Sequence, residues 1–152
     1  MKPLLNSIQI TERAKTLCVS LTNGFAVLTL NPIKKTIHHY FQNQQFGNSA
    51  TIDGSNIIIC TGVAGQQSFL DTSLCIYDQS YGGVVIEINC KESIRNIVML
   101  PQMFAISSKS EVRLYSFVPP MLFCQFRTSV NEFAPLDFVE SRESFIVAFS
   151  GR

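Results

Sequence analysis

The side chains that could do chemistry in this chain are few, and their spacing matches no common catalytic site. His38 and His39 are the only histidines, and adjacent residues of a strand point to opposite faces of a sheet. The cysteines and carboxylates around them do not have the spacing of a zinc site. The pair is therefore better interpreted as part of a surface strand than as metal ligands.

The other candidate motifs also favour ordinary structural interpretations. Gly62-x-x-Gly65 lacks the Gly-Lys-Ser/Thr ending of a phosphate-binding loop, which favours a flexible insertion. No Gly-x-Ser-x-Gly elbow is present, and no pair of carboxylates stands out for acid–base catalysis. The acidic residues are dispersed, mostly at predicted turns and strand ends: Asp53, Asp71, Asp78, Asp137 and Glu140. We therefore predict no catalytic, cofactor-binding or metal-binding residue, and hence no enzyme and no cofactor.

Composition places the chain among globular proteins. Hydrophobic residues make up 46% of its 152 residues and charged residues 15%, so it can bury a sizeable core. The net charge of +1 does not favour nucleic acid as a partner. No apolar stretch reaches the length of a membrane span or a signal peptide, which predicts a cytoplasmic protein. The five cysteines are scattered and are expected to be reduced, buried thiols: Cys18, Cys60, Cys75, Cys90 and Cys124.

The elements that must position these residues are strands. Apolar residues recur with a period of two and many are β-branched, while no 3.6-residue stripe is present. Turn residues such as Asp53-Gly54 and Gly82-Gly83 separate the runs. We predict an antiparallel all-β fold with these strands: Leu17–Leu21, Phe25–Leu30, Thr36–Phe41, a weak Asn48–Ile52, Asn56–Thr61, Leu74–Asp78, Val84–Ile88, Ile94–Leu100, Met103–Ser107, Val112–Phe117, Leu122–Arg127, Leu136–Val139 and Phe145–Phe149.

Three of these strands end in nearly the same way, which indicates an internal repeat. Residues 24–29, 73–78 and 111–116 place apolar residues in the same columns. Their spacing brackets the roughly 40–45-residue repeat of a four-stranded propeller blade. We predict blades at about 8–45, 46–90 and 91–130, the start of a fourth at 131–152, and no separate second domain.

The blades are predicted to differ in completeness. The first begins at Leu17 without an innermost strand, the second carries an insertion at Gly62–Thr72, and the last stops after its second strand. Since a propeller closes with four to eight blades, we expect a WD40-like β-propeller fragment, about three blades of a seven-bladed ring, open at both ends. Eight aromatic residues are expected to fill the core between blades: Phe104, Phe117, Phe123, Phe126, Phe133, Phe138, Phe145 and Phe149.

Several segments, in order along the chain, resemble the PROPPIN family, the phosphoinositide-binding β-propellers of autophagy. Residues 17–32 resemble that family's first-blade signature, an apolar strand, a Gly-aromatic turn and an Asn-Pro ending. Residues 56–65 and 74–78 are similar to its apolar strand, Gly-rich loop and return strand. Residues 94–116 are similar to the blade whose sequence the family retains best. Residues 149–152 resemble its Phe/Tyr-Pro-Gly turn, with Ser150 replacing Pro. The resemblance covers about residues 8–152.

This resemblance implies a peripheral protein of endosomal, vacuolar or pre-autophagosomal membranes. It also implies autophagy lipid-transfer or scaffold proteins as partners, and phosphoinositide membranes as partners if the missing C-terminal blades are present. The family reads phosphatidylinositol 3-phosphate and the 3,5-bisphosphate with a Phe/Leu-Arg-Arg-Gly motif. This chain has no Arg-Arg pair, because Thr128 follows Phe126-Arg127. The positions that match the family's partner-binding Asn-x-Asp are Thr11 and Arg13. The alternative is a WD-like protein–protein scaffold that does not bind lipid.

Overall fold

The computed structural model describes residues 3–11, 15–40, 45–66, 69–117, 119–142 and 144–151. Within them every regular element is a strand, so the all-β prediction is confirmed. The strands are β1 Leu5–Ile10, β2 Thr16–Leu21, β3 Gly24–Leu30, β4 Ile33–Tyr40, β5 Ser49–Ala50, β6 Ile57–Thr61, β7 Ser73–Asp78, β8 Gly83–Asn89, β9 Asn96–Met99, β10 Met103–Ser107, β11 Glu111–Ser116, β12 Leu122–Arg127, β13 Leu136–Glu140 and β14 Phe145–Phe149.

These strands form antiparallel meanders. In the described residues the sheets have the orders β1-β2-β3-β4, β5-β6-β7-β8 and β9-β10-β11-β12, and β13 pairs with β14 alone. The middle strands β6, β7 and β10 are buried along almost their whole length, which explains why their sequences are continuous apolar runs. The 62–72 insertion lies between β6 and β7, as predicted. No helix long and apolar enough to cross a membrane occurs in the described part of the chain.

The chain divides into two compact units, Met1–Lys91 and Glu92–Arg152. In the first unit the sheets β1–β4 and β5–β8 pack around a core centred on Phe25, whose ring contacts those of Phe46 and Tyr77. In the second unit, β13 and β14 pack Phe138 against the inner strands of β9–β12, with Met103 and Leu114 in the same core. Each unit therefore has its own sheet-on-sheet core.

The prediction that the first sheet lacks its innermost strand is wrong. β1 takes that position and pairs with β2. Ser7 and Gln9 lie opposite Ser20 and Cys18, on the face that packs on the second sheet, whereas Ile8 is 53% exposed. The strand thus reverses the usual pattern, in which apolar residues mark the buried face.

The prediction that eight aromatic residues fill the core is also partly wrong. Phe104 and Phe138 are buried, and Phe117 and Phe149 are partly buried. Four others are exposed in this structure: Phe123 by 71%, Phe126 by 42%, Phe133 by 86% and Phe145 by 41%. Phe123 and Phe126 lie on β12, the edge strand of its sheet. Among the described residues, only β11 pairs with β12.

Candidate interaction site

Four charged side chains of the second unit gather around the turn between β10 and β11: Glu92, Arg95, Lys109 and Glu132. We call them the charged cluster. Lys109 forms an ion pair with Glu132, and Arg95 Nη2 lies 3.6 Å from the second carboxylate oxygen of Glu132. The Arg95, Lys109 and Glu132 side chains are each about half exposed. Exposed pairs of this kind contribute little to stability because water screens them, so they define a surface more than they stabilise it.

Glu92 has a different role, because its carboxylate fixes the turn. It accepts hydrogen bonds from Ser110 Oγ at 2.6 Å, from Ser108 Oγ at 2.8 Å and from the Ser110 backbone N–H at 3.2 Å. The hydroxyl donors, Ser110 first and then Ser108, lower the pKa of Glu92, with a smaller contribution from the positive charge of Lys109. The turn that carries Lys109 is therefore tied to the segment that precedes β9.

A second set of hydrogen bonds fixes the loop between β12 and β13. The side-chain amide of Asn96 donates to the carbonyl oxygens of Phe133 at 2.9 Å and Ala134 at 2.8 Å. Ser107 Oγ donates to the same Ala134 oxygen at 2.5 Å, and Asn131 Oδ1 accepts from the Phe133 N–H at 3.0 Å. Side chains of β9 and β10 thus fix the backbone of this loop through hydrogen bonds.

This loop is held in a costly conformation. Ala134 is buried and has φ = 42°, in the left-handed region that non-glycine residues rarely occupy. Such a conformation costs on the order of 1 kcal/mol or more and persists only where the surroundings enforce it. The hydrogen bonds from Asn96 and Ser107 supply that enforcement.

The chemistry of this region suits recognition rather than catalysis. Lys109, by its hydrogen bond and charge, lowers the pKa of Glu132, and Glu132 is paired with Lys109 and Arg95, whereas the Glu92 carboxylate is held by serine donors. Within the described residues no three His, Cys, Asp or Glu side chains group as metal ligands. The site therefore presents fixed charges at the protein surface.

The two histidines lie on opposite faces of β4, as the sequence predicted. His38 Nδ1 lies 3.0 Å from Lys35 Nζ, and burial together with the charge of Lys35 lowers the pKa of His38. His39 Nδ1 lies 3.0 Å from the hydroxyl of Tyr77, and its ring stacks on Phe25. His39 is therefore part of the packing between the first two sheets, and the structure does not bring the pair together as ligands.

Thr11, which matches a partner-binding position of the family, is an internal link instead. It is 8% exposed, and its hydroxyl donates to Asp53 Oδ1 at 2.6 Å and accepts from the Thr16 N–H at 3.1 Å. Thr11 therefore joins the first sheet to the Asp53-Gly54 turn of the second, where Gly54 has φ = +74°. Arg13 lies outside the described residues, as do Phe41, Val118 and Arg152 from other predicted segments.

A cleft near this link has little capacity for a ligand. Its volume is about 210 Å³, and this volume is below the usual range of ligand pockets. The residues that line it include Thr29, Thr36 and Asn56. Thr29 and Thr36 donate their hydroxyls to backbone carbonyl oxygens at 3.0 and 3.1 Å. The lining groups are thus already engaged within the protein.

The remaining candidates from the sequence have structural roles. Arg127 is exposed on β12, and its register partner on β11 is Glu111. The Glu111 carboxylate pairs with Arg113 at 2.6 Å, and a carboxylate at this position is a poor environment for an anionic headgroup. The five cysteines are free, and Cys18, Cys60 and Cys75 are buried, as predicted. The prediction of burial is wrong for Cys90 and Cys124, which are only partly buried. Burial raises the pKa of Cys18 to about 11 and that of Cys75 to about 12.

Sequence reasoning missed the charged cluster and the loop beside it. The Ser108-Lys109-Ser110 turn is visible in the sequence, but Glu92 and Glu132 are far from it along the chain. The one available signal was Asn131, a residue that commonly bonds its own backbone two residues on. Only the pairing of β9 with β10 and the packing of β13 against them bring these residues together.

No family model matches the chain. SVP1-like protein 2 of Schizosaccharomyces pombe is 22% identical over 113 residues, which is 74% of this chain and 31% of that protein. Hsv2 of Kluyveromyces lactis superimposes with a TM-score of 0.75 and 14% identity, over 99% of this chain and 42% of Hsv2. KlAtg21, in a complex with the coiled coil of AgAtg16, superimposes with a TM-score of 0.80 and 13% identity, over 97% of this chain and 46% of that one.

This chain thus spans between about a third and a half of the length of the proteins it matches. At such identities the structural likeness establishes the fold, and that fold is a set of β-propeller blades. The resemblance inferred from the ordered sequence motifs is therefore confirmed at the level of the fold: the described strands form β-propeller blades like those of Hsv2 and KlAtg21.

Proposed function

We propose that this chain is a non-enzymatic, protein-binding part of a PROPPIN-like propeller that serves autophagy. The observation that carries the proposal is its superposition on KlAtg21, a propeller whose structure holds the coiled coil of AgAtg16. The charged cluster, with two paired cations and two carboxylates on a fixed turn, is the kind of mixed-charge surface that gives specificity between proteins. The autophagy partners are scaffold or lipid-transfer proteins.

Binding of phosphatidylinositol 3-phosphate or the 3,5-bisphosphate is the finer part of the proposal, and it depends on residues that this chain lacks. Bidentate recognition of a phosphate suits adjacent guanidinium groups, and the sequence has no Arg-Arg pair. The proposed location is the cytoplasm and the surface of endosomal, vacuolar or pre-autophagosomal membranes. A complete ring of this kind would supply the lipid contacts there.

Calorimetric titration of residues 1–152 with the AgAtg16 coiled coil tests the protein-binding part. We expect saturable binding that weakens with added salt. Salt screens the attraction between exposed charges of the two proteins, with a Debye length of about 10 Å at 0.1 M. Absence of saturable binding would contradict the proposal. A scrambled-sequence helix of the same length and charge is the control for non-specific association.

Flotation with liposomes separates this proposal from the alternative, a WD-like scaffold with no lipid role. Residues 1–152 should not float specifically with vesicles that contain 3-phosphorylated phosphoinositides. Specific flotation would show that the chain carries a lipid site of its own. A longer gene product with an Arg-Arg-Gly motif should float, whereas a longer product that does not float would favour the WD-like scaffold.

A further inference from the structure

The first sheet has an apolar side that points away from the second sheet. We call it the outer face, and its central residues on β1, β2 and β3 are Ile8, Ile10, Leu17, Val19, Leu21 and Leu28. Cross-strand partners place their side chains on the same side of a sheet. Ile8 lies opposite Val19, while Ile10, Leu17 and Leu28 lie side by side on three strands. The outer face is therefore one continuous apolar surface.

The polar residues of the same strands point inward instead. Ser20 is fully buried, and its hydroxyl donates to Ser49 Oγ of the second sheet at 2.7 Å. By contrast, Ile8 and Ile10 on the outer face are 53% and 56% exposed. The sheet thus holds polar groups in the core and leaves apolar area in water, which is unfavourable unless another surface covers it.

The second sheet shows what covers strands of this kind. Its residues Ile58 and Ile59 are adjacent on β6, point to opposite faces and are fully buried. Ile58 belongs to the core that the second sheet shares with the first. A face of aliphatic residues on a regular pleated sheet thus packs against another sheet in this protein, as sheet faces commonly do. We therefore expect a sheet, rather than a helix or a loop, to cover the outer face.

We propose that this sheet belongs to a second copy of the chain, so that two outer faces pack against each other. The described residues of the outer face include no Asp or Glu, and the cation Lys35 lies at its margin on β4, opposite Leu28. A twofold axis parallel to the strands places β4 of each copy over β1 of the other, which keeps the two Lys35 side chains apart. The centre of the face therefore carries no charge that repels its own copy.

The outer face is also large enough for a dimer. Strands lie about 4.8 Å apart and rise about 3.3 Å per residue, so β1–β4 outline roughly 19 Å by roughly 20 Å, or about 400 Å² per copy. Side chains make the accessible area greater than this flat outline, which brings two copies to the order of 1,000 Å² that a specific interface needs. A face that binds its own copy closes at two subunits, whereas a head-to-tail contact can build open chains.

Ile8→Lys tests this inference, with Ile146→Lys as the matched control. Both residues are isoleucines on strands with similar exposure, 53% and 56%, but Ile146 lies on β14. Sedimentation equilibrium of the whole 152-residue chain over a range of concentrations measures association. We expect a wild-type dimer that Ile8→Lys weakens at least about tenfold, because the twofold axis buries two new charges. Ile146→Lys should change association less than about twofold.

A second variant and a change of salt make the test sharper. Ile10→Lys, on the same face, should weaken the dimer as Ile8→Lys does. Added salt should not dissociate the wild-type dimer, since salt screens contacts between charges and not apolar contacts. Circular dichroism checks that each variant keeps its β-fold, which is expected because both substituted side chains are about half exposed in the single chain.

Three results would overturn the inference. The first is a wild-type chain that stays monomeric at every concentration, and the second is a dimer that Ile8→Lys and Ile10→Lys leave intact. The third is a set of assemblies that grow beyond two copies, which indicates head-to-tail contact. A monomeric chain that floats with phosphatidylserine vesicles, and loses this flotation in Ile8→Lys, would identify the outer face as a membrane contact instead.

This inference stands or falls separately from the proposed function. The outer face belongs to the first unit, and the charged cluster belongs to the second. Failure to bind the AgAtg16 coiled coil would therefore contradict the proposed function and leave the dimer in place. A monomeric chain that binds the coiled coil would do the reverse.

Discussion

The side-chain amide of Asn96 lies 2.8 Å from the carbonyl oxygen of Ala134, the one described non-glycine residue with a positive φ. The two residues are 38 positions apart; Asn96 is the first residue of β9, and Ala134 lies in the loop between β12 and β13. One hydrogen-bonding group of β9 therefore enforces the backbone conformation that presents Phe133.

Removing this group should destabilise the second unit. Asn96→Ala leaves the carbonyl oxygens of Phe133 and Ala134 without two of their donors, so we expect a loss of about 1–3 kcal/mol in the free energy of unfolding. Denaturant titration followed by circular dichroism measures it. Asn56→Ala is the control, since the Asn56 side-chain amide donates an exposed hydrogen bond to Ser80, and its loss should cost under about 0.5 kcal/mol. Equal losses in the two variants would contradict the enforcement of Ala134 by Asn96.

Glu92 should make stability depend on pH in the acid range. Its folded-state pKa lies below the ordinary value of 4.5, chiefly because of the hydroxyls of Ser110 and Ser108. A lowered folded pKa adds stability that is fully present above pH 4.5 and is lost as the pH falls through the folded pKa. Glu92→Gln should therefore be less stable than wild type at pH 7 and should lose less on acidification. Unfolding titrations at pH 7 and at pH 3.5 measure the difference.

The control for this pH dependence is Glu140→Gln, at the exposed end of β13, which should keep the acid dependence of the wild type. The same acid dependence in Glu92→Gln and wild type would show that the serine hydroxyls do not favour the ionised carboxylate.

Thr11 should contribute to stability rather than to partner binding. Thr11→Val keeps the shape of the side chain but removes the donor to Asp53 and the acceptor for the Thr16 N–H. We expect a loss of about 1–2 kcal/mol in the free energy of unfolding and no change in coiled-coil affinity. Thr29→Val, at a hydroxyl that bonds the nearby Pro32 carbonyl, should cost less. A change in affinity without a change in stability would restore Thr11 as a partner-binding residue.

Gly62 lies where the backbone leaves no room for a side chain. A Cβ at this position would lie 2.1 Å from the carbonyl oxygen of Phe69 and 2.5 Å from that of Leu70, so the backbone of the 62–72 insertion must move. We expect Gly62→Ala to cost at least about 2 kcal/mol. Gly83→Ala is the control, because its nearest neighbour is Tyr81 Cδ1 at 3.8 Å, and it should be near neutral. Thermal unfolding compares them, and a near-neutral Gly62→Ala would contradict the close approach.

The middle strands could be predicted from the sequence because each is a continuous apolar run, and such a run indicates burial without reference to distant residues. Runs such as Ile57-Ile58-Ile59-Cys60 and Met103-Phe104-Ala105-Ile106 are apolar on both faces, and glycine-containing turns separate some of them from their neighbours. Strand order followed, since consecutive strands joined by short turns pair with one another. The resemblance to propellers rested on the same local patterns, repeated along the chain.

β1 and the exposed aromatic residues could not be predicted in this way. A period-two pattern shows that two faces differ, but which face is buried depends on what packs there. Ser7 lies on the buried face of β1 because that face meets the second sheet through polar groups, including the 2.7 Å hydrogen bond between the hydroxyls of Ser20 and Ser49. Phe133 is exposed because backbone hydrogen bonds hold its loop, and no local pattern reports them.

By itself, therefore, the sequence determined that this chain is a series of antiparallel strands repeated as propeller blades, since hydrophobic periodicity and turn residues act over a few neighbouring positions. Only the tertiary structure decided which distant residues share one surface. The charged cluster and the fixed 130–133 loop join Glu92, Asn96, Lys109 and Glu132 across three stretches of chain. Such contacts depend on sheet register and sheet packing, which bring distant residues together without leaving a local pattern.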